Sequence, residues 1–325
     1  MKRVILHVGL GKTGTRTIQT TLAQDRALLP ALGLAYPGNK VAHHDLLAMA
    51  HAAGPAHFWF RKRGIGPTQA ALACQRMIDT IEGEMARDTP TILLSSEYFQ
   101  ALRPDALAAL DTLFAGHGYR LETLCYVREP FGHLASRYQQ AVKMSHRRLA
   151  DLFAQPYQPW AKRHLSSALK ALGRDRVHVR RMERAQRGLT RDVLAVAGVT
   201  PPPDMLHDQR ENTGLCRDAV YLLDALNGAD GPDRPLKTRH YATIAAMQGE
   251  KFTLPPCVAE ALTPPIRSEK IWLNRTFGIR YPMPDLSQGS SLDQCRADAM
   301  AALDSLTRTG RVGSGWPLQA QARSA

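Results

Sequence analysis

VILHVGLGKTGTRTIQTTL, residues 4–22, is the stretch that decides the fold of this chain. Its almost entirely apolar start, Val4–Gly9, predicts a strand that is buried on both faces of a parallel sheet. A glycine-rich turn follows, and apolar residues four apart then predict a helix over Gly14–Gln24. A turn of this kind presents backbone N–H groups at the helix N-terminus, where anions bind. The stretch therefore predicts an anion-binding turn at the start of an α/β domain.

The rest of the chain repeats this alternation of strands and helices. Further strands are predicted at residues 32–37, 89–96, 120–128 and 176–181. Further helices are predicted at residues 44–53, 67–87, 103–118 and 130–144. The alternation indicates an α/β fold with a mostly parallel central sheet flanked by helices. We expect residues 1–308 to form a single domain whose helical half, 185–308, packs on the sheet, and residues 309–325 to form a flexible tail.

Composition limits the setting and the partners of the protein. The chain has 325 residues, of which 44% are hydrophobic, and its net charge of +13 favours anionic partners. The five cysteines are scattered and never form a CxxC pair, which argues against disulfides and zinc and suggests the cytoplasm. The apolar start is too short for a signal peptide, and no run of 18 apolar residues predicts a membrane span.

Three kinds of anion site compete for the glycine-rich turn. Gly9, Gly11 and Gly14 spell the dinucleotide fingerprint GxGxxG, but that fold also needs an acidic residue about 20 positions later. Residues 32–40, LGLAYPGNK, contain no acid. A triphosphate-binding P-loop, GxxxxGK[ST], needs a glycine where this chain has Leu6. The remaining possibility is a shorter turn, GKTGTR, whose lysine, hydroxyls and amides suit a single phosphate.

Two motifs resemble those of the sulfotransferases that use 3′-phosphoadenosine 5′-phosphosulfate (PAPS). KTGTR, residues 12–16, is similar to the first-strand signature of the heparan-sulfate and bacterial branches of that family. CYVREPFGHLASRY, residues 125–138, resembles the second signature, in which a strand ends in an arginine, a proline begins a helix and a serine follows. These residues are Arg128, Pro130 and Ser136. Both matches lie within the first 145 residues.

The resemblance implies a P-loop-related fold and transfer of a sulfuryl group from PAPS, without a metal. It implies that Lys12 contacts the bridging oxygen and the departing 5′-phosphate. Arg128 and Ser136 would hold the 3′-phosphate of the cofactor. The residues that it places around the 5′-phosphate are Gly11, Lys12, Thr13, Gly14, Thr15, Arg16 and Thr17.

The hydroxyl or amine that accepts the sulfuryl group needs a general base, and the resemblance allows a glutamate or a histidine. Glu97 follows the strand TILLSS, so it should stand beside the turn at the carboxyl edge of the sheet. His44, and with a weaker case His43, lies in the loop after the second strand. A histidine base of ordinary pKa would make the rate rise near pH 6.5, whereas a glutamate base would leave it flat there.

Two other functions remain open at this point: a P-loop small-molecule kinase, and a non-catalytic protein that binds polyanions or nucleotides. The residues do not identify the acceptor. A small molecule, a glycan or a lipid would fit, and the positive net charge also allows an anionic acceptor. Nucleic acid is not expected. The heparan-sulfate branch carries a lysine before its SPAYF-like segment, where this chain has Leu94, and this difference argues against a heparan-type acceptor.

The second motif leads to a prediction about the cofactor. Adenosine 3′,5′-bisphosphate (PAP) should raise the melting temperature more than adenosine 5′-phosphate does, because Arg128 and Ser136 have nothing to hold without the 3′-phosphate. Thermal-shift measurements with both nucleotides, and with ATP as a third ligand, test this. Equal shifts with the first two would remove the second motif from the site, and a larger shift with ATP would favour a kinase.

Overall fold

The computed structural model describes residues 2–185, 188–202, 205–208, 214–229, 235–286 and 289–308, so the tail expected at 309–325 lies outside the described residues. The strands are β1 (Lys2–Val8), β2 (Leu34–Ala35), β3 (Thr91–Ser96), β4 (Tyr119–Val127) and β5 (Val177–Arg181). The helices are α1 (Thr15–Gln24), α2 (Leu47–Ala50), α3 (Phe58–Arg61), α4 (Pro67–Ala86), α5 (Pro104–Gly116), α6 (Pro130–Met144), α7 (Leu149–Phe153), α8 (Trp160–Leu172), α9 (Leu189–Val196), α10 (Arg217–Ala229), α11 (Pro235–Ala245), α12 (Pro256–Phe277) and α13 (Leu292–Arg308).

The five strands form one sheet in the order β2-β3-β1-β4-β5, and every neighbouring pair is parallel. The predicted fold class, an α/β protein with a parallel central sheet, is confirmed. The helix predicted at residues 44–53 is wrong in its extent. A 3₁₀ helix, His44–Leu46, and the short α2 occupy this segment, and His51 then becomes extended and forms an isolated bridge with Leu102.

The chain divides into two compact units, and the first contains the whole sheet. This unit consists of Met1–Arg128, Pro159–Glu211 and Trp272–Arg280. Its core lies where β1 meets α1 and α9, and it includes the fully buried Ile5, Ile18 and Leu22. Burying a side chain of this size contributes roughly 1.5–3 kcal/mol. The same contacts that form the core therefore hold α1, and the turn before it, against the central strand.

The second unit is helical and consists of Glu129–Gln158, Asn212–Ile271 and Tyr281–Ala325. Its boundaries differ from the helical half expected at 185–308, because α6 belongs to it and α9 does not. Near its C-terminal end, α6 is bound to later helices, since the buried Lys237 donates to the Val142 carbonyl (2.6 Å) and Asn227 donates to the same oxygen (2.9 Å). The single domain 1–308 stays a prediction.

The parallel sheet determines where a ligand site can form. The carboxyl ends of all five strands lie at one edge, and ligands of α/β proteins bind at that edge where the strand order reverses. In the register of the sheet, Val8 at the end of β1 lies beside Ser96 of β3 and Cys125 of β4. The glycine-rich turn follows β1, Glu97 follows β3 and Arg128 follows β4. Three of the predicted site segments therefore leave the sheet from adjacent strand ends.

Candidate functional site

The glycine-rich turn leads from β1 directly into the N-terminus of α1. The Gly9 N–H donates to the Ser96 carbonyl (3.1 Å), and the Thr13 hydroxyl donates to the Leu10 carbonyl (2.5 Å). Gly14 is the N-cap residue, and no side chain caps the helix. The first backbone N–H groups of an α-helix lack partners within the helix, so this end of α1 offers donors to an anion.

The backbone of the turn is strained at Lys12. This half-buried lysine has φ 71°, in the left-handed region that favours glycine, and such a residue is less stable by roughly 1–2 kcal/mol. Gly14 shares the left-handed conformation, with φ 77°, and a Cβ there would overlap the side chain of Leu189 at the start of α9. Strained backbone of this kind concentrates at ligand sites, which fits the predicted role of Lys12.

Thr15 is the first residue of α1 and supports a ligand at this position. Its side chain is buried, with a residual exposure of 8%, and its hydroxyl has no hydrogen-bond partner among the described residues. An unsatisfied buried hydroxyl costs about 1–3 kcal/mol. Arg16 is exposed and Thr17 is half-buried on the same first turn, which contains no acidic residue. The helix dipole disfavours a cation such as Arg16 at this end. An anion bound here would offset that charge and would also accept a hydrogen bond from the Thr15 hydroxyl.

Glu97 stands beside the turn, where it was predicted. It is exposed and is the first residue of the 3₁₀ helix Glu97–Ala101, directly after β3. A Cβ built on Gly9 would lie 3.0 Å from the Glu97 Cα, so the two backbones are in contact. The carboxylate is therefore attached to a strand end at the edge of the sheet that carries the turn.

His43 has a structural role. It is fully buried, and its backbone N–H donates to the Ser95 carbonyl (2.9 Å). Its Nδ1 accepts a hydrogen bond from the Ser95 N–H (2.9 Å), so its Nε2 carries the proton that is donated to the Pro37 carbonyl (3.0 Å). Both ring nitrogens are therefore used within the protein, and burial lowers the pKa of His43 to about 4.

His44 is bound to the end of β3 by its side chain. Its Nδ1 lies 2.7 Å from the Ser96 hydroxyl, and its ring makes edge contacts with those of Trp59 (5.2 Å) and Tyr98 (4.9 Å). Burial lowers the pKa of His44 to about 4, and the positive charge of Arg63 acts in the same direction. His44 is therefore neutral at physiological pH.

The two residues predicted to hold a second phosphate lie in different units. Arg128 is half-buried, directly follows β4 and is the last residue of the first segment of the sheet unit. Ser136 is half-buried on α6, in the helical unit. Their joint contact with a phosphate stays a prediction.

Two residues near the turn were missed by the sequence reasoning. The Ser96 hydroxyl contacts His44 and the Tyr98 amide, and the Ser96 carbonyl contacts Gly9 of the turn. The available signal was its position, as the last residue of a buried strand and the neighbour of Glu97. Leu189 covers Gly14, and no pattern in the sequence connects these two residues.

The described residues add three general findings. They contain no cluster of three or more histidine, cysteine or acidic side chains that could hold a metal ion. In the same part of the chain, no helix has both the length and the apolar character needed to cross a membrane. All five cysteines are free thiols.

Comparison with solved structures finds distant structural neighbours, which include a bacterial sulfotransferase and retinol dehydratase. No protein-family profile and no curated protein sequence matches the chain. A sulfotransferase from Alicyclobacillus acidocaldarius is 16% identical, with a TM-score of 0.45, over 87% of this chain and 98% of that one. Retinol dehydratase, solved with androsterone and the inactive cofactor PAP, is 11% identical, with a TM-score of 0.36, over 86% of this chain and 82% of its own. Because both TM-scores are below 0.5, the proposed function rests on the site.

The close contacts of Gly9 lead to a prediction about stability. Its Cβ in a Gly9→Ala variant would lie 2.5 Å from the Thr15 side chain and 3.0 Å from the Glu97 backbone, so the variant should lose about 1–3 kcal/mol of unfolding free energy. Gly11→Ala is the matched control, since nothing lies within 4 Å of that Cβ. Urea unfolding of the two variants measures the difference, and equal stabilities would contradict the packing of the turn.

Proposed function

We propose that this protein is a sulfotransferase that transfers the sulfuryl group of PAPS to a hydroxyl or amine. The observation that carries the proposal is the start of α1. There a strained Lys12 and the buried hydroxyl of Thr15, which has no hydrogen-bond partner in the described part of the chain, flank a helix N-terminus that no side chain caps. Glu97, which can accept a proton, stands beside it. A phosphate-binding turn next to a carboxylate is what group transfer from a nucleotide to an acceptor requires.

The residues of the turn fit one phosphate. Backbone amides between Gly11 and Thr15 and the Thr15 hydroxyl would donate to its oxygens, while Lys12 and Arg16 would supply positive charge. Thr13, whose hydroxyl is already bound to the Leu10 carbonyl, would contribute its amide, and Thr17 would act from the next turn of the helix. On this proposal, Arg128 and Ser136 hold the 3′-phosphate of the cofactor.

In the proposed reaction, PAPS supplies the sulfuryl group and a phosphate leaving group. Lys12 places its ammonium where negative charge grows on the departing oxygen, so its contribution is larger in the transition state than in the bound substrate. Glu97 accepts the proton of the acceptor, and the strand end that carries it provides the fixed geometry that proton transfer needs. His44 is the other candidate for this step.

The alternatives are less well supported by the geometry. A triphosphate-binding loop would begin at position 6, but Leu6 is fully buried within β1 and belongs to the strand. A purely polyanion-binding protein would account for the charge of +13, but it gives no reason for the strained backbone of Lys12 or the buried hydroxyl of Thr15. We further propose a small-molecule, glycan or lipid acceptor and a cytoplasmic location, which the free cysteines support.

Substitutions of Lys12 separate its catalytic role from its backbone strain. Lys12→Ala and Lys12→Gly should both lose turnover about 10²-fold or more, since neither has an ammonium group, while PAP binding falls less. Lys12→Gly should have the higher melting temperature, because glycine adopts φ 71° without strain. PAPS turnover with a panel of hydroxyl acceptors and thermal melts test this. Wild-type turnover in Lys12→Ala would exclude the mechanism.

The two candidates for the base can be distinguished by amide variants. Glu97→Gln keeps the shape of the side chain and should lose about 10²–10⁴-fold in rate, whereas His44→Asn should lose less. The pH profile does not separate them, because the lowered pKa of His44 leaves its imidazole neutral between pH 6 and 8. The rate rise near pH 6.5 expected of a histidine base therefore does not apply. PAP binding is the control for both variants, and full activity in both would place the base elsewhere.

A further inference from the structure

The hydroxyl of Ser96 determines which nitrogen of His44 carries the proton. Ser96 is fully buried, and its Oγ has two hydrogen-bond partners among the described residues, the Tyr98 N–H (3.2 Å) and His44 Nδ1 (2.7 Å). The Tyr98 amide can only donate, so it occupies an acceptor position of the hydroxyl. His44 Nδ1 is then the one partner that can accept the Ser96 proton.

These hydrogen bonds of the Ser96 hydroxyl select one tautomer of His44. If Nδ1 carried the proton, the Ser96 O–H would be a buried donor without an acceptor, which costs about as much as a lost hydrogen bond. With Nδ1 as the acceptor, the proton of the neutral imidazole lies on Nε2. A ring in this state has no lone pair on Nε2 with which to take a proton. At Nε2 it can only donate a hydrogen bond.

The surroundings of His44 keep it neutral. The titratable groups that face it from neighbouring segments are Arg63, Lys40, His43 and His57, and each disfavours a positive charge on the ring. The ring also packs edge-on against Trp59. The acidic group nearest in the sequence is Asp45, which is buried and forms an ion pair with Lys40 (2.6 Å). Glu97 follows Ser96 directly, and its backbone lies against Gly9.

We propose that His44 acts as a neutral hydrogen-bond donor through Nε2, that Ser96 is the positioning residue that sets this tautomer, and that Glu97 alone takes the proton of the acceptor. The inference rests on the proposed function for its chemistry. The acceptor O–H or N–H bond breaks and its proton passes to the Glu97 carboxylate. The acceptor atom forms the new bond to sulfur, and the bond from sulfur to the 5′-phosphate oxygen breaks with its electron pair on the phosphate. The Nε2–H of His44 donates to an oxygen of the sulfuryl group in transit.

The test reads the tautomer directly, without turnover. Protein labelled with ¹⁵N-histidine is examined by long-range ¹H–¹⁵N NMR at neutral pH, and the His44 signals are identified by their absence in His44→Gln. We expect the proton on Nε2 in the wild type, a shift toward a mixture of tautomers in Ser96→Ala, and recovery of the wild-type pattern in Ser96→Thr, which restores the hydroxyl. Thermal melts confirm that each variant is folded.

Three results would overturn the inference. These are a proton on Nδ1 in the wild type, an unchanged His44 signal in Ser96→Ala, and no movement of the His44 Nε2 signal when inorganic sulfate is added to the PAP-saturated protein. A melting shift with PAP, measured on the same samples, keeps the proposals distinct. If PAP gives no shift, the proposed function fails while the tautomer result stands by itself. If PAP binds and the proton is on Nδ1, only the role of His44 fails.

Discussion

The carboxyl end of β3 holds the candidate site together, because hydrogen bonds from Ser95 and Ser96 reach the other segments around it. The Gly9 amide donates to the Ser96 carbonyl, which ties the start of the turn to β3. His43 and His44 are bound to the same two serines by backbone and ring atoms. Both serines are fully buried, so an unpaired polar group here would cost about 1–3 kcal/mol. A strand end, and not a set of independent loops, therefore positions the turn, the histidines and the carboxylate that follows.

The turn combines features that are unfavourable in the absence of a ligand. Lys12 has a left-handed backbone, and Thr15 buries a hydroxyl that finds no partner among the residues the structure describes. The first turn of α1 also carries Arg16, where the helix dipole disfavours a cation. A bound phosphate would accept a hydrogen bond from the Thr15 hydroxyl and would offset the positive charge of Arg16. The strained backbone at Lys12 would then serve to place the turn around that phosphate. This balance between stability and binding is common at functional sites, where local rules are broken for the sake of the ligand.

Much of the fold could be predicted because its signals are local. Buried parallel strands are continuous apolar runs, and all five were predicted to within a few residues of their observed ends. The helix at residues 44–53 was wrong in its extent because the chain becomes extended at His51, which forms a bridge with the distant Leu102. The assignment of α6 to the helical unit was missed for a similar reason, since Lys237 binds its C-terminal end from almost a hundred residues away.

The sequence by itself determined the α/β class, the glycine-rich turn between β1 and α1 and the position of Glu97 at a strand end, because each follows from residues that are neighbours in the chain. Only the tertiary structure showed the physical difference between the two histidines. Both ring nitrogens of His43 form hydrogen bonds within the protein, whereas His44 uses its Nδ1 for Ser96 and has its Nε2 for other partners. The contact that decides the state of His44 joins it to Ser96, 52 positions away. No local pattern records such a pairing, because it exists only once the segment that carries both histidines has packed against β3.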